Sequence, residues 1–182
     1  MRKQLGAEEA ERLFDALDVV SPVAVRLNPF KCGEEGVWSD GEQVAWSRYG
    51  RKLKERPLFT LDTAFHAGAY YVQEAASQFI DHILSNEELE GCRVLDMCAA
   101  PGGKTTDIAA SLREIFKDDF LLVSNEVMKA RVGVLADNVV LWGDPNVVVT
   151  SADPKAFASL QGFFDVIVAD VPCSGEGMFR KD

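Results

Sequence analysis

The sequence has few of the residues that build metal centres or disulfide frameworks. Its 182 residues include only six side chains of the two types that most often bind zinc: Cys32, Cys92, Cys98, Cys173, His66 and His82. No two of the cysteines form a C-x-x-C pair, and zinc sites normally recruit their ligands at such short spacings. We therefore expect no metal site, and reduced thiols as in an intracellular protein.

Long hydrophobic runs are also missing. No apolar stretch approaches the roughly 18 residues that a membrane-spanning helix needs. The first 18 residues are charged and have a helical period, unlike a signal peptide. With 47% hydrophobic residues and a net charge of −10, the composition predicts one or two compact domains without membrane association, in the cytoplasm.

The acidic balance argues at first against nucleic acid, but the charge is unevenly distributed. Residues 48–56 contain five basic side chains and one acidic side chain, with Tyr49 among them. Two interpretations stay open for this basic block. It is either a solvated linker or a segment that contacts phosphate groups.

The hydrophobic pattern changes near Pro57 and predicts two domains. Before this point, an acidic amphipathic helix, a strand over Val23–Leu27 and a loop-rich stretch indicate a small α+β domain, residues 1–56. The remaining residues, 57–182, open with a helical stripe that begins at Val72. Helices then separate four predicted strands: Arg93–Met97, Phe120–Ser124, Val147–Thr150 and Asp165–Ala169. Because parallel neighbours need crossovers of about a dozen residues, this alternation predicts a parallel, doubly wound α/β sheet.

A glycine-rich loop, Cys98–Lys104, joins the first of these strands to a helix. Glycines let backbone amides approach a ligand, and a helix N-terminus attracts negative charge. The string Gly103-Lys104-Thr105 matches the end of a P-loop, but Cys98 stands where the first glycine belongs, and no G-x-G-x-x-G fingerprint is present. A nucleotide site of P-loop type, another nucleoside site and a turn without a ligand all stay open.

Acidic residues follow three of the predicted strands, at Glu126, Asp153 and Asp170. The carboxyl ends of parallel strands meet at one edge of a sheet, and Glu126 is placed there to accept hydrogen bonds from ribose hydroxyls. Asp153 precedes Pro154 and fits equally well as a helix cap. Three acids favour a cationic ligand, for which a magnesium nucleotide and S-adenosylmethionine are both candidates.

Four strings resemble the Nol/Nop/Sun family of RNA cytosine-5 methyltransferases, with the bacterial ribosomal-RNA branch the most similar: Pro57–Asp62, Ala64–Ala75, Val94–Thr105 and Asp170–Lys181. Val25–Pro29 resembles the N-terminal module of the family. The resemblance implies a Rossmann-like, S-adenosylmethionine-dependent methyltransferase sheet with its first four strands present and the remainder missing. It also implies a small N-terminal α+β domain.

The resemblance implies roles for individual residues. The loop residues Cys98, Ala99, Ala100, Pro101, Gly102, Gly103 and Lys104 would hold the methionine part of S-adenosylmethionine. Glu126 would bind the ribose, Asp153 the adenine side, and Asp170 the boundary between cofactor and target base. Tyr71, Gln73 and Glu74 would close over the cofactor.

In this family a cysteine thiolate adds to C6 of cytosine, because C5 alone is too weak a nucleophile to accept a methyl group. At the position of Cys173 the family uses a cysteine that assists product release, and its nucleophile belongs to a later motif. This sequence has no residues there. We therefore expect a truncated protein that is inactive by itself and lacks the attacking thiolate.

The expected cofactor is S-adenosylmethionine, and the expected partner is RNA, above all ribosomal RNA, with Arg48–Arg56 as its candidate surface. A missing neighbour beside the strand Asp165–Ala169 would leave an apolar edge, so we expect self-association or disorder around residues 171–182. Two alternatives are a P-loop-like nucleotide-binding protein and a non-catalytic RNA-binding module.

Overall fold

The computed structural model describes residues 2–19, 22–32, 37–38, 40–87, 89, 91 and 93–171. Two helices come first: α1, Arg2–Leu5, and α2, Ala7–Asp18. Helix α2 confirms the predicted acidic amphipathic helix. These helices belong to one compact unit, and Val23–Val171 forms another. No helix in the described part of the chain combines the length and the apolar character needed to cross a membrane.

The second unit begins with an antiparallel sheet of four strands: β1 (Val23–Leu27), β2 (Glu42–Gln43), β3 (Gly50–Leu53) and β4 (Tyr70–Val72). Their spatial order is β2-β3-β1-β4. Alternating residues of β1 pack with Phe59 and Tyr70 into a small apolar core. The strand predicted for Val23–Leu27 is confirmed. The domain boundary between residues 56 and 57 stays a prediction. The antiparallel sheet extends across this position, because its strand β4 comes after residue 57.

The helix predicted to begin at Val72 begins later. Val72 ends strand β4, a 3₁₀ turn follows over Ala75–Gln78, and helix α4 covers Phe79–Asn86. A short helix, α3 (Thr63–His66), precedes β4. The pairing of Val72 with Val25 of β1 takes this residue out of the helical stripe.

The basic block is part of the sheet, so the linker interpretation is wrong for its central residues. Arg51 in β3 is buried. Lys52 forms an ion pair with Glu42 at 2.7 Å, and Arg48 lies 3.4 Å from Glu114. Lys54 and Arg56 remain exposed at the end of the block.

A second sheet has four parallel strands: β5 (Arg93–Asp96), β6 (Leu121–Asn125), β7 (Val147–Thr150) and β8 (Val166–Val168). Helix α5, Gly103–Phe116, follows β5, and helix α6, Lys129–Trp142, follows β6. This arrangement confirms the parallel, Rossmann-like α/β sheet. Its order, β7-β6-β5-β8, reverses direction at β5, and such a reversal opens a crevice at the carboxyl ends of the central strands.

The core of this sheet lies between its strands and helices α4 and α5. Val94, Ile108, Leu112 and Leu122 are completely buried there. Strands of a parallel sheet are covered on both faces, which explains why β5 and β6 are apolar without alternation. The core fixes the position of α5, whose N-terminus bounds the crevice.

Strand β8 forms one edge of the described sheet. Among the described residues it is hydrogen-bonded to β5 alone, and its Ile167 is 56% exposed. Unpaired backbone groups beside an exposed apolar side chain are a template for pairing with a further strand. Among the described residues the predicted open edge is therefore present. Of residues 171–182, for which we predicted self-association or disorder, all but Val171 lie outside the described part of the chain.

The core makes a testable prediction for stability. We expect Leu122→Ala to lower the free energy of unfolding by about 2–5 kcal/mol, because it leaves a cavity in a fully buried cluster. Leu61→Ala, at an exposed leucine, is the control and should change it by less than about 0.5 kcal/mol. Urea unfolding curves measure both, and equal losses would contradict the assigned core.

Candidate functional site

A cavity of about 260 Å³ lies at the crevice. One wall is the glycine-rich loop, through Cys98, Ala99, Ala100, Pro101, Gly103 and Lys104. The facing wall is formed by Tyr71–Glu74 and Ser77. Asp170, two residues after the end of β8, completes the lining. The structure therefore brings together most of the predicted loop residues, Asp170 and the segment predicted to close over a ligand. Gly102, Glu126 and Asp153 are not part of this lining.

The loop needs both of its glycines. Gly102 has a φ of +109°, which side-chain-bearing residues rarely adopt, and a Cβ there would lie 3.3 Å from Leu135 Cδ1. A Cβ on Gly103 would lie 3.2 Å from Tyr71 Cε1. At the loop's start, the carboxylate of Asp96 accepts a hydrogen bond from the Thr105 hydroxyl at 2.7 Å. These constraints hold the first turn of α5 against the strand that precedes it.

Helix α6 holds the loop from the other side. Arg131 Nη2 donates to the carbonyl of Ala100 at 2.5 Å, and Asn138 Nδ2 donates to the carbonyl of Pro101 at 2.8 Å. Arg131 Nη1 also lies 3.5 Å from Glu126 Oε2. Arg131 thus connects the loop to the acid that follows β6.

Glu126 is buried and has one oxygen available for a ligand. Glu126 is 2% exposed, and its Oε1 accepts a hydrogen bond from the backbone N–H of Met128 at 2.8 Å. Oε2 forms the ion pair with Arg131 but has no hydrogen-bond partner among the described residues, and neither does the nearby Ser124 hydroxyl. Buried acceptors are normally paired, so Oε2 fits a donor such as a ribose hydroxyl.

Asp153 lies exposed at the same edge and caps the next helix. Its Oδ1 accepts a hydrogen bond from the backbone of Lys155 at 2.9 Å, directly before the 3₁₀ helix Pro154–Ser159. This confirms the cap interpretation. Asn125 keeps the strand ends together, since its amide bonds to the carbonyl of Ala152 and accepts from the Thr150 hydroxyl.

The mouth of the cavity carries an ion pair between Lys104 Nζ and Asp170 Oδ2 at 2.7 Å. Both side chains are partly exposed, so the pair contributes at most about 1 kcal/mol to stability. A cationic ligand can therefore replace Lys104 as the partner of Asp170 at small cost. The lysine that suggested a P-loop faces an acid in this structure.

Burial among acids changes the protonation of two groups at the loop. Burial raises the pKa of Asp96 to about 6, although its hydrogen bond from Thr105 and the charge of Lys104 oppose this. Burial, and then the charges of Glu126, Asp96 and Asp170, raise the pKa of the Cys98 thiol. A thiol with a raised pKa is a poor nucleophile at neutral pH, so Cys98 is suited to shaping the cavity and not to attack.

Cys173 lies outside the described residues, as does the rest of its string beyond Val171. Its assisting role stays a prediction. Sequence reasoning also missed several residues that shape the site: Arg26, Ser77, Asp96 and Arg131. The one available signal was an arginine inside the otherwise apolar strand β1, since a charged residue in such a strand is rarely buried without a purpose.

Comparison with known families gives two matches. The family model described as 16S rRNA methyltransferase RsmB/F matches residues 82–182, which include the glycine-rich loop and the second sheet. The model for the N-terminal domain of 16S rRNA methyltransferase RsmF matches residues 1–75. Together these matches cover nearly all of the chain.

Individual relatives agree. Ribosomal RNA small subunit methyltransferase F of Enterobacter sp. (strain 638) is 38% identical over 170 residues, which are 92% of this chain and 32% of that protein. The same enzyme of Pectobacterium atrosepticum is 35% identical over 184 residues, covering 100% of this chain and 35% of that protein. The chain thus spans about a third of the length of these relatives.

Among solved structures, a methyltransferase homolog protein from Pyrococcus horikoshii superposes with a TM-score of 0.76. It is 26% identical, and the superposition covers 100% of this chain and 64% of that one. The fold is therefore that of a known methyltransferase homologue, including the antiparallel sheet that precedes the parallel one.

The raised pKa of Asp96 predicts a pH dependence of stability. The pKa of this group is about 6 in the folded chain and about 4 in an unfolded one. Between pH values of about 4 and 6, Asp96 is protonated in the folded chain and ionised in the unfolded one. The stabilisation from this group is therefore fully present below the lower value and is lost as the pH rises through the higher one. The loss amounts to about 2–3 kcal/mol. We expect Asp96→Asn to remove this part of the dependence in urea unfolding between pH 4 and 7.

Asp137→Asn, at an exposed position on α6, controls for the loss of one negative charge. If Asp96→Asn keeps the pH slope of the unaltered protein, the assigned protonation of Asp96 is incorrect.

Proposed function

Because the chain belongs to the 16S rRNA methyltransferase RsmB/F family, we propose that it binds S-adenosylmethionine and serves the methylation of cytosine C5 in ribosomal RNA. The observation that carries this proposal is the buried Oε2 of Glu126, which has no hydrogen-bond partner in the described part of the chain and lies at the sheet edge that also holds the glycine-rich loop. A ribose acceptor and a loop that admits a ligand to its backbone are what a nucleoside cofactor requires.

The residues present fit the cofactor in three parts. The loop Cys98–Lys104 holds the methionine part, with Gly103 in the cavity wall and Gly102 providing the left-handed backbone conformation that shapes the loop. Glu126 Oε2 accepts from the ribose, and Asp153 lies at the adenine side. When bound, S-adenosylmethionine supplies an electrophilic methyl group on a sulfonium.

The chain's own residues orient this cofactor by charge. Asp170 at the cavity mouth attracts a cation, and the net acidic edge favours the sulfonium and ammonium over an anionic nucleotide. This opposes the magnesium-nucleotide alternative, since triphosphate would meet Asp170, Asp96 and Glu126. Asp170 also borders the position of a target base. We propose Cys173 as the residue that assists product release. Cys98 remains protonated at neutral pH, because its pKa is raised.

RNA binding is proposed for the antiparallel sheet. Of the basic block, Arg48 and Lys52 already face acids and Arg51 is buried, so Lys54 and Arg56 are the cations left to meet phosphate. Acting on ribosomal RNA, the protein belongs in the cytoplasm. The open edge of β8 gives a surface for self-association.

Cofactor binding is tested by isothermal titration calorimetry with S-adenosylmethionine and S-adenosylhomocysteine. We expect Glu126→Ala to weaken both by about 10–100-fold, because a hydrogen bond to a charged acceptor is lost. Glu87→Ala, at an exposed position outside the cavity lining, is the control and should bind as the unaltered protein does. If the protein binds magnesium-ATP but does not bind S-adenosylhomocysteine, the proposal is refuted in favour of a nucleotide-binding protein.

The RNA surface is tested by salt dependence. We expect the double variant Lys54→Ala, Arg56→Ala to reduce the slope of log affinity against log salt by about 1.4 for single-stranded RNA, since two phosphate contacts are lost. The pair Lys129→Ala, Lys155→Ala removes the same charge from exposed positions in α6 and in the 3₁₀ helix Pro154–Ser159. An equal change in both double variants would mean that no localised RNA surface exists there.

A further inference from the structure

Arg26 is a buried cation, and most of its partners lie outside the sheet to which it belongs. It belongs to β1 in the antiparallel sheet and is 1% exposed. A guanidinium removed from water needs acceptors for its N–H groups and an opposing charge. The charge comes from Asp107 of α5, whose Oδ1 lies 3.2 Å from Arg26 Nε and whose side chain is equally buried.

The first contact of Arg26 is with the wall formed by the glycine-rich loop. Its Nη2 donates to the carbonyl of Gly103 at 3.1 Å, and its Nη1 donates to the carbonyl of Thr106 at 3.2 Å. These carbonyls belong to the first turn of α5, where the loop ends. Arg26 therefore fixes the turn whose backbone amides face the cavity.

The second contact is with the opposite wall. Arg26 Nε donates to Gln73 Oε1 at 2.9 Å, and Gln73 lines the cavity. Arginine can only donate, so the amide oxygen of Gln73 must face it and the amide NH₂ must point elsewhere. That NH₂ lies 3.4 Å from the carbonyl of Ser77 and 3.6 Å from where a Cβ on Gly103 would be, across the cavity.

The guanidinium has no room to move away from these partners. The ring of Trp142 lies on it, with Arg26 Cζ 4.5 Å from the ring centroid. Only a planar group with several fixed donors satisfies carbonyls, amide, carboxylate and ring at once, so lysine is not equivalent here.

We propose that Arg26 is a positioning residue for the amino-acid end of the cofactor. It holds the loop wall in place and orients Gln73 so that the Gln73 NH₂ donates to the carboxylate of the methionine part. The inference rests on the proposed function. It makes a residue of the antiparallel sheet part of the cofactor site, although it does not touch the cofactor.

The test compares two ligands that differ in that end. S-adenosylhomocysteine carries the amino acid, whereas 5′-deoxy-5′-methylthioadenosine lacks it, and calorimetry gives both dissociation constants. We expect Arg26→Lys to weaken S-adenosylhomocysteine by about tenfold or more, because a hydrogen bond to its carboxylate is lost. Binding of methylthioadenosine should change by less than about twofold, because the ribose and adenine contacts are separate.

The matched control is Arg51→Lys. Arg51 is also a buried arginine of the antiparallel sheet, but its hydrogen-bond acceptors in the described part of the chain are the carbonyls of Arg48 and Gly50, both close to it in sequence. This variant should leave both dissociation constants unchanged. A loss equal to that of Arg26→Lys would mean that any disturbed arginine of this sheet has the same effect, which overturns the proposal.

Gln73→Glu tests the same point without disturbing a buried cation, since glutamate still accepts from Arg26 but cannot donate to a carboxylate. It should also weaken S-adenosylhomocysteine selectively, whether or not Arg26→Lys folds. Equal weakening of both ligands, or of neither, in Gln73→Glu overturns the proposal. Failure of the unaltered protein to bind either ligand is a different result, because it contradicts the proposed function itself.

Discussion

Burial of the Arg26 guanidinium is the constraint on which the arrangement of the site depends. Leaving such a group without acceptors costs several kcal/mol, so the antiparallel sheet must lie where Gly103, Thr106 and Asp107 can receive it. This requirement brings β1 and β4 against the N-terminus of α5. The cofactor cavity lies between this sheet and the N-terminus of α5, and the Arg26 side chain sets the distance between its walls.

The first turn of α5 is fixed from two further directions. Asp96 holds it to β5 through Thr105, and Arg131 and Asn138 hold the loop to α6. A loop restrained in this way is already shaped before a ligand arrives, which lowers the ordering cost of binding. Burial, with a smaller contribution from repulsion by neighbouring acids, raises the pKa of Asp96 and Cys98, and a cationic cofactor offsets this repulsion.

Much of the second sheet could be predicted from sequence because its signals are local. The strands are continuous apolar runs and the helices begin at glycine or polar residues, so the predicted bounds differ from the observed ones by one or two residues. The first sheet was harder. Val72 fits the period of the helix that follows it, and only the pairing of Tyr70–Val72 with β1, more than forty residues earlier, makes this segment a strand.

The same limit explains why Arg26 was not recognised as part of the site. A local pattern shows an arginine in an apolar strand, but its partner Asp107 is about eighty residues away. This ion pair also couples the position of the antiparallel sheet to that of helix α5. If the antiparallel sheet moved away, Asp107 would lose its countercharge, and Gln73, which follows β4, would leave the loop together with Arg26. An RNA that displaced this sheet would therefore alter cofactor affinity, since the proposed RNA surface follows β3, which pairs with the strand that carries Arg26.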